Sequence, residues 1–306
     1  MEWYIILWHI LAIIGCIKLS CYVLPLLYWT FFSCINLNQF LYGYVLITGA
    51  TDGIGKAMAK EFLRRGFKII LVSRSPEKLQ KVKSEFLDLY PQSIIELIAI
   101  DFSYSHRNPI KIYENFFETI SNFNISILVN NVGSATVKLL NNETFENIES
   151  MIGVNVYPST MITHQLIGVF LKRYEETKQK SLVINMGSTM EESIFPGNAV
   201  YSATKRYNAF FSEGLRYEYL GKIEFAVIKP GLVITPMVKK NKTQDLPLST
   251  DPDTFARASL GGLRSGVNHG YWKHKILGFL LNFVPYQITI ILVRLTIGSA
   301  IKKGLI

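Results

Sequence analysis

Between residues 44 and 275, short apolar runs alternate with longer stretches that repeat at the helical period. YVLITGA (44–50), KIILVS (68–73), IIELIAI (94–100), ISILVNN (125–131), SLVINM (181–186) and IEFAVIK (223–229) are nearly continuous apolar runs. Runs of that length read as strands buried on both faces. Each is followed by an amphipathic segment, for example IGKAMAKEFLRRG (54–66) and PEKLQKVKSEFLDLY (76–90). This alternation predicts an α/β fold, a Rossmann-like, doubly wound parallel sheet with helices on both faces. A later helix has an explicit start, with Asp251 as N-cap and Pro252 in the first turn, and Gly261 and Gly262 mark its stop.

The two ends follow a different pattern. Residues 3–17, WYIILWHILAIIGCI, carry no formal charge, and after Lys18 none appears again until Asp52. Apolar runs of about 18–20 residues read as membrane spans. The run from Trp3 to Ile35 predicts one tilted span plus an interfacial piece, with a re-entrant hairpin around Lys18 and Pro25 as the alternative. A cleaved signal peptide fits less well, because Glu2 stands where basic residues are expected. Near the other end, ILGFLLNFVPYQITIILV (276–293) is a second uncharged run, flanked by Lys273, Lys275, Arg294, Lys302 and Lys303. Asn282, Pro285 and Gln287 interrupt it, so a spanning helix and a membrane-hugging amphipathic helix both remain open. The expected organisation is a membrane anchor over 1–40, a catalytic domain over 41–275 and a membrane-associated C-terminal segment over 276–306.

Composition agrees: 49% of residues are hydrophobic and the mean hydropathy is +0.23, high for a soluble enzyme and concentrated at the ends. The net charge of +9 is not gathered into a basic stripe interleaved with aromatics, so no nucleic acid partner is expected. Anionic lipid headgroups or an anionic substrate suit it better. All three cysteines, Cys16, Cys21 and Cys34, lie in the N-terminal apolar segment, which leaves no cysteine-based metal site or disulfide framework elsewhere, and no metal is expected.

The first stretch with chemistry is TGATDGIG (48–55), between the first strand and first helix. Gly49, Gly53 and Gly55 let backbone approach a pyrophosphate, and the helix N-terminus favours its charge. Thr51, Asp52 and Ile54 belong to the same cradle. At the end of the second strand, Ser73 and Arg74 stand where an NAD enzyme usually places an acidic residue. They suit a ribose 2′-phosphate, so NADPH/NADP+ is the expected cofactor. Tyr201 and Lys205 share one helix face. By itself that spacing fits an ordinary half-buried helix equally well.

The motifs together resemble the short-chain dehydrogenase/reductase family: the glycine loop, Asn130-Asn131-Val132-Gly133, Asn155, Ser188 at 13 residues before Tyr201-x-x-x-Lys205, and Pro230-Gly231. The resemblance implies that Asn155, Ser188, Tyr201 and Lys205 are catalytic. It also implies that Asp101, Phe102, Asn131, Val132, Gly133, Tyr201, Lys205, Pro230, Gly231, Val233 and Thr235 contact the cofactor. Reducing a ketone builds negative charge on its oxygen. A tyrosine with an ordinary pKa of about 10 protonates it poorly near neutrality unless a nearby ammonium lowers that value. Ser188 would donate to the developing oxyanion, and Asn155 would hold a water relaying protons to Lys205.

The string TGATDGIGKAMAKEFLRRGFKIILVSRSPEKL and the apolar N-terminus resemble the membrane-bound group of very-long-chain 3-oxoacyl-CoA reductases and 17β-hydroxysteroid dehydrogenases. That likeness implies reduction of a long-chain 3-oxoacyl-CoA in fatty-acid elongation at the endoplasmic reticulum membrane, with the catalytic domain facing the cytosol. A steroid or retinoid ketone is the alternative substrate, and a non-catalytic scaffold the alternative of another class. Implied partners are the membrane, a second copy paired through the helices after strands four and five, and other elongation enzymes. The segment SATVKLLNNETFENI after Gly133 is shorter than the group's usual loop and lacks its Tyr/Pro-rich run.

Overall fold

A computed structural model describes residues 2–32, 34–103, 105–192, 197–239 and 248–283, together with 288 and 291. The chain divides into two units, Met1–Asn36 and Leu37–Ile306. The first is helix α1, Glu2–Phe32. It runs unbroken through both Lys18 and Pro25, so the hairpin alternative is not formed. Its stretch Trp3–Cys21, with mean hydropathy 1.9, is long and apolar enough to cross a membrane, and none of it is buried within the chain. The unit boundary falls a few residues before position 40 because Phe40 is fully buried in the second unit, where its carbonyl accepts from Ser126 Oγ at 2.7 Å.

Among the described residues the second unit is built on seven strands: β1 Tyr44–Thr48, β2 Lys68–Ser73, β3 Ile95–Ala99, β4 Ile125–Asn130, β5 Ser181–Met186, β6 Ile223–Ile228 and β7 Gly266–Asn268. They form one sheet in the order β3-β2-β1-β4-β5-β6-β7, every neighbouring pair parallel. The helices are α2 Gly53–Arg64, α3 Pro76–Leu89, α4 Pro109–Ser121, α5 Phe145–Thr177, α6 Ala199–Glu218, α7 Pro236–Lys239, α8 Pro252–Gly261 and α9 Trp272–Phe283. The doubly wound parallel sheet is therefore as expected, with β7 as an added edge strand. The expected helix start at Asp251 is formed, with its carboxylate accepting from Thr254 N at 2.8 Å.

Apolar residues of the strands pack against the covering helices. Leu46, Ile70, Leu128, Val183 and Phe225 share one cluster with Tyr113 and Phe116 of α4 and Ile162, Leu166 and Phe170 of α5. Each fully buried side chain of this size contributes about 1.5–3 kcal/mol. Helix α5 continues past Pro158, whose missing N–H leaves the Val154 carbonyl without its helical partner. Because β1 and β4 are neighbours while their crossovers lead to opposite sides of the sheet, a crevice opens beyond their C-terminal ends, where α/β sheets bind ligands. Of the C-terminal run, residues 284–287, 289–290 and 292–306 lie outside the described residues. The expected segment over 276–306 is thus described mainly through α9.

Candidate active site

The crevice begins at the turn leaving β1. Thr48 Oγ1 accepts from the backbone N–H groups of Asn131 at 3.0 Å and Val132 at 3.1 Å, which ties the end of β1 to the end of β4. Asn131 Nδ2 donates in return to the carbonyls of Thr48 at 2.9 Å and Gly49 at 3.2 Å. Gly49 and Gly53 have φ of +65° and +52°, a region that disfavours any side chain. A Cβ on Gly55 would overlap the Gly49 carbonyl oxygen and Asn131 Nδ2. Asp52 caps α2 by accepting from Gly53 N at 2.9 Å. The turn is therefore a bare backbone cradle at a helix N-terminus, matched to an anionic pyrophosphate.

The cleft that opens over this cradle has a volume of about 350 Å³, in the range of small-molecule sites. Gly49, Asp52, Gly53 and Ile54 line one wall, and Asn131, Val132 and Gly133 the floor. Ser188 comes from the turn after β5 and Tyr201 and Lys205 from α6, while Pro230, Gly231, Val233 and Thr235 close it from the segment after β6. Thr51, Gly55, Ser73, Arg74, Asp101, Phe102 and Asn155 do not line it. Thr51 Oγ1 and Ser73 Oγ lie 2.9 Å apart, which joins the glycine turn to the end of β2. Arg74 beside them is exposed and makes no ion pair among the described residues. Asp101 is exposed and accepts from Ser103 N and Oγ at 2.9 and 2.7 Å. The side chain of Phe102 belongs to the core, 3% exposed and stacked on Tyr113. Its apolar ring is buried beneath α4, so any contact of Phe102 with an adenine is through its backbone alone.

At the other end of the cleft, Ser188, Tyr201 and Lys205 line it together, with the Ser188 side chain near the Tyr201 phenol. Lys205 is buried, 5% exposed, with Nζ donating to the Met186 carbonyl at 3.0 Å and lying 5.8 Å from the centre of the Tyr201 ring. The expected depression of the Tyr201 pKa is reversed here. Burial pushes the phenol above its ordinary value, the nearby Ser188 side chain opposes this, and the Glu191 charge adds to it. Burial also brings the Lys205 ammonium down to about 8, against the opposing effect of Glu191. The physical reason is that desolvation penalises both charged forms more than a cation at this distance favours the phenolate. Near neutral pH the pair is thus a protonated phenol beside an ammonium that is easily discharged, which is a proton donor.

Asn155 is 1% exposed and every polar atom of its side chain is engaged by protein. Its Nδ2 donates to the Ser134 carbonyl at 3.0 Å and to Thr204 Oγ1 at 2.9 Å, and its Oδ1 accepts from Ser134 N at 2.7 Å. Asn208 Nδ2 donates to its backbone carbonyl at 2.9 Å. The residue therefore braces the loop after β4 against α6. Thr204 in turn donates to the Tyr201 carbonyl at 2.7 Å. Met186, Gly187, Pro236, Met237 and Val238 also line the cleft, and no sequence motif pointed to them.

A family model described as short chain dehydrogenase matches residues 43–246. The chain belongs to the short chain dehydrogenase family. It is therefore an oxidoreductase. Similar short chain dehydrogenases include a very-long-chain 3-oxoacyl-CoA reductase of Caenorhabditis briggsae, 32% identical over 84% of this chain and 80% of that protein. A Caenorhabditis elegans relative that carries a steroid dehydrogenase name is 33% identical, over 78% of this chain and 90% of its own length. Among solved structures, a short-chain dehydrogenase from Sphingobium yanoikuyae in complex with NADPH is 27% identical. It superposes with a TM-score of 0.62 over 72% of this chain and 84% of that one.

Proposed function

We propose that this short chain dehydrogenase is an NADPH-dependent ketone reductase acting on long-chain 3-oxoacyl-CoA, anchored in the endoplasmic reticulum membrane through α1 with its catalytic unit in the cytosol. The observation that carries the reductase reading is the gathering of Ser188, Tyr201 and Lys205 at the far end of a cleft that begins on a bare glycine cradle. The cradle fits a dinucleotide, with the pyrophosphate over Gly49–Gly55 and the nicotinamide end between Thr235, Pro230–Val233 and Tyr201. Ser73 and the exposed Arg74 favour a 2′-phosphate. When bound, the cofactor supplies a hydride to the ketone carbon.

The residues do the rest. Ser188 donates a hydrogen bond to the ketone oxygen as charge grows there. Tyr201, held protonated by burial, gives that oxygen its proton. Lys205 stands behind Tyr201, fixed by the Met186 carbonyl, and offers the charge that the departing proton leaves wanting. Asn155 keeps the loop after β4 and helix α6 in register around them.

The reductase name of the C. briggsae relative, together with the apolar helix α1, supports an acyl-CoA substrate in fatty-acid elongation. The steroid dehydrogenase name of the C. elegans relative supports the second reading, a hydroxysteroid ketone in the same cleft. Pairing of two copies through α5 and α6 is part of the proposal, since Phe210 and Tyr217 stand exposed on α6. Purified full-length protein in detergent, given NADPH with long 3-oxoacyl-CoAs or steroid ketones, tests it through NADPH consumption. Oxidation of NADPH with the acyl-CoAs is expected. Turnover of steroids alone replaces the first reading with the second, and turnover of neither removes both.

A further inference from the structure

Directly behind Ser188 lies a group of buried charges to which the reduction above assigns no task. The three-residue helical turn after β5 begins at Ser188 as its N-cap and ends at Glu191. Glu191 Oε2 accepts from the backbone N–H of Ser188 at 3.1 Å, and Ser188 Oγ accepts from Met190 N at 3.2 Å, so the two residues cap each other. The Glu191 side chain has no exposed surface, and its Oε1 lies 2.8 Å from Nζ of Lys229, which is 7% exposed at the end of β6. Glu192 Oε1 stands 3.4 Å from the same Nζ and 2.8 Å from His269 Nε2. Gly187 leaves the space these groups need, because a Cβ there would press on Glu191 Oε2 at 2.7 Å.

A buried carboxylate beside catalytic hydroxyls is costly to keep, and a neutral residue would cap the turn as well. We propose that Glu191 is a positioning residue of the active site, holding Ser188 by its backbone while presenting a buried negative charge to the Tyr201–Lys205 pair. This rests on the reading of Tyr201 as proton donor. The charges facing Glu191 are Lys229 from β6, Glu192 from its own turn, His269 from the segment after β7, and Tyr201 with Lys205 from α6. His274 on α9 is buried and held neutral. Burial raises the Glu191 carboxyl and Lys229 opposes that rise. The ion pair with Lys229 Nζ at 2.8 Å favours its ionised form. Its charge raises both Tyr201 and Lys205, which keeps Tyr201 protonated and Lys205 cationic to higher pH.

Glutamine at 191 keeps an acceptor for Ser188 N and removes the charge, so the two roles separate. The phenolate absorbance of full-length protein is titrated in detergent, and subtraction of the Tyr201→Phe titration isolates one of the 16 tyrosines. In Glu191→Gln the Tyr201 midpoint is expected to fall by about one unit. An unmoved midpoint in the folded variant overturns the proposal. If Lys229, left with Glu192 alone, unfolds Glu191→Gln, the double variant Glu191→Gln/Lys229→Gln removes both members of the Glu191–Lys229 pair. A smaller fall is then expected, because the lost Lys229 cation offsets part of the lost carboxylate, and its absence again overturns the proposal. Glu191→Ala should lose kcat while still binding NADPH, and Glu191→Gln should restore kcat below its new midpoint. An Ala variant with wild-type kcat overturns the holding of Ser188. Because the midpoint needs no substrate, a wild type that reduces no ketone refutes the proposed function without affecting this measurement.

Discussion

Gly55 is where the cradle tolerates least change. A methyl group added there has no empty space, because it meets the Gly49 carbonyl oxygen and Asn131 Nδ2. For Gly55→Ala to be accommodated, Asn131 must swing away and give up its bonds to the Thr48 and Gly49 carbonyls at 2.9 and 3.2 Å. At about 1 kcal/mol each, those bonds put the loss of stability near 2 kcal/mol. The displaced amide and the shifted turn both belong to the cofactor wall, so NADPH affinity should fall by about tenfold or more, the equivalent of ~1.4 kcal/mol. Gly214→Ala is the control. Nothing lies within 4 Å of its added Cβ in α6, so the same chemical change should stabilise by up to about 1 kcal/mol through helix propensity. Denaturant unfolding and NADPH titration by fluorescence read both quantities. Wild-type stability and wild-type NADPH affinity in Gly55→Ala would refute the reasoning about the cradle.

Arg74→Asp should lower the ratio of kcat/KM with NADPH to that with NADH by about tenfold or more, the loss of one charge-assisted contact; an unchanged ratio removes Arg74 from cofactor choice. Asn155→Ala gives up three hydrogen bonds and should cost about 3 kcal/mol, read as a fall in the denaturant midpoint. His274 is fully buried against Phe255 and Gly231, and burial takes its pKa from 6.5 down to about 4. Because the folded value is depressed, the unfolded chain binds the proton first as pH falls. Stability is complete above 6.5 and is lost down to about 4, by about 3 kcal/mol in all. Relative to wild type, His274→Gln should lack this loss, and parallel stability curves for the two proteins over that interval would contradict it.

Much of the fold was legible because buried parallel strands leave an unmistakable trace. The six apolar runs contain β1 to β6, and Asp251 with Pro252 announced α8. β7 left no such trace, since Gly266–Asn268 is three residues long with one apolar side chain and is defined by its pairing with β6. Pro158 would ordinarily end a helix, yet α5 passes it because packing against α6 and the sheet outweighs one missing bond. In the candidate site, the motif residues announced themselves by type and spacing. The environment that sets their proton affinities did not. Glu191, Lys229 and His269 come from three separate segments that only the sheet brings together. Phe102 shows the converse case, where a position matched by motif has its side chain committed to the core. The direction of the Tyr201 shift was also beyond reach, because spacing alone does not reveal how deeply a tyrosine and its lysine are buried.

The most direct test of the account is single-turnover hydride transfer by Tyr201→Phe, with NADPH binding measured on the same sample. NADPH should stay bound while oxidation of the cofactor by the ketone falls by at least about a hundredfold, the scale of a lost general acid. Hydride transfer at the wild-type rate in that variant would contradict it.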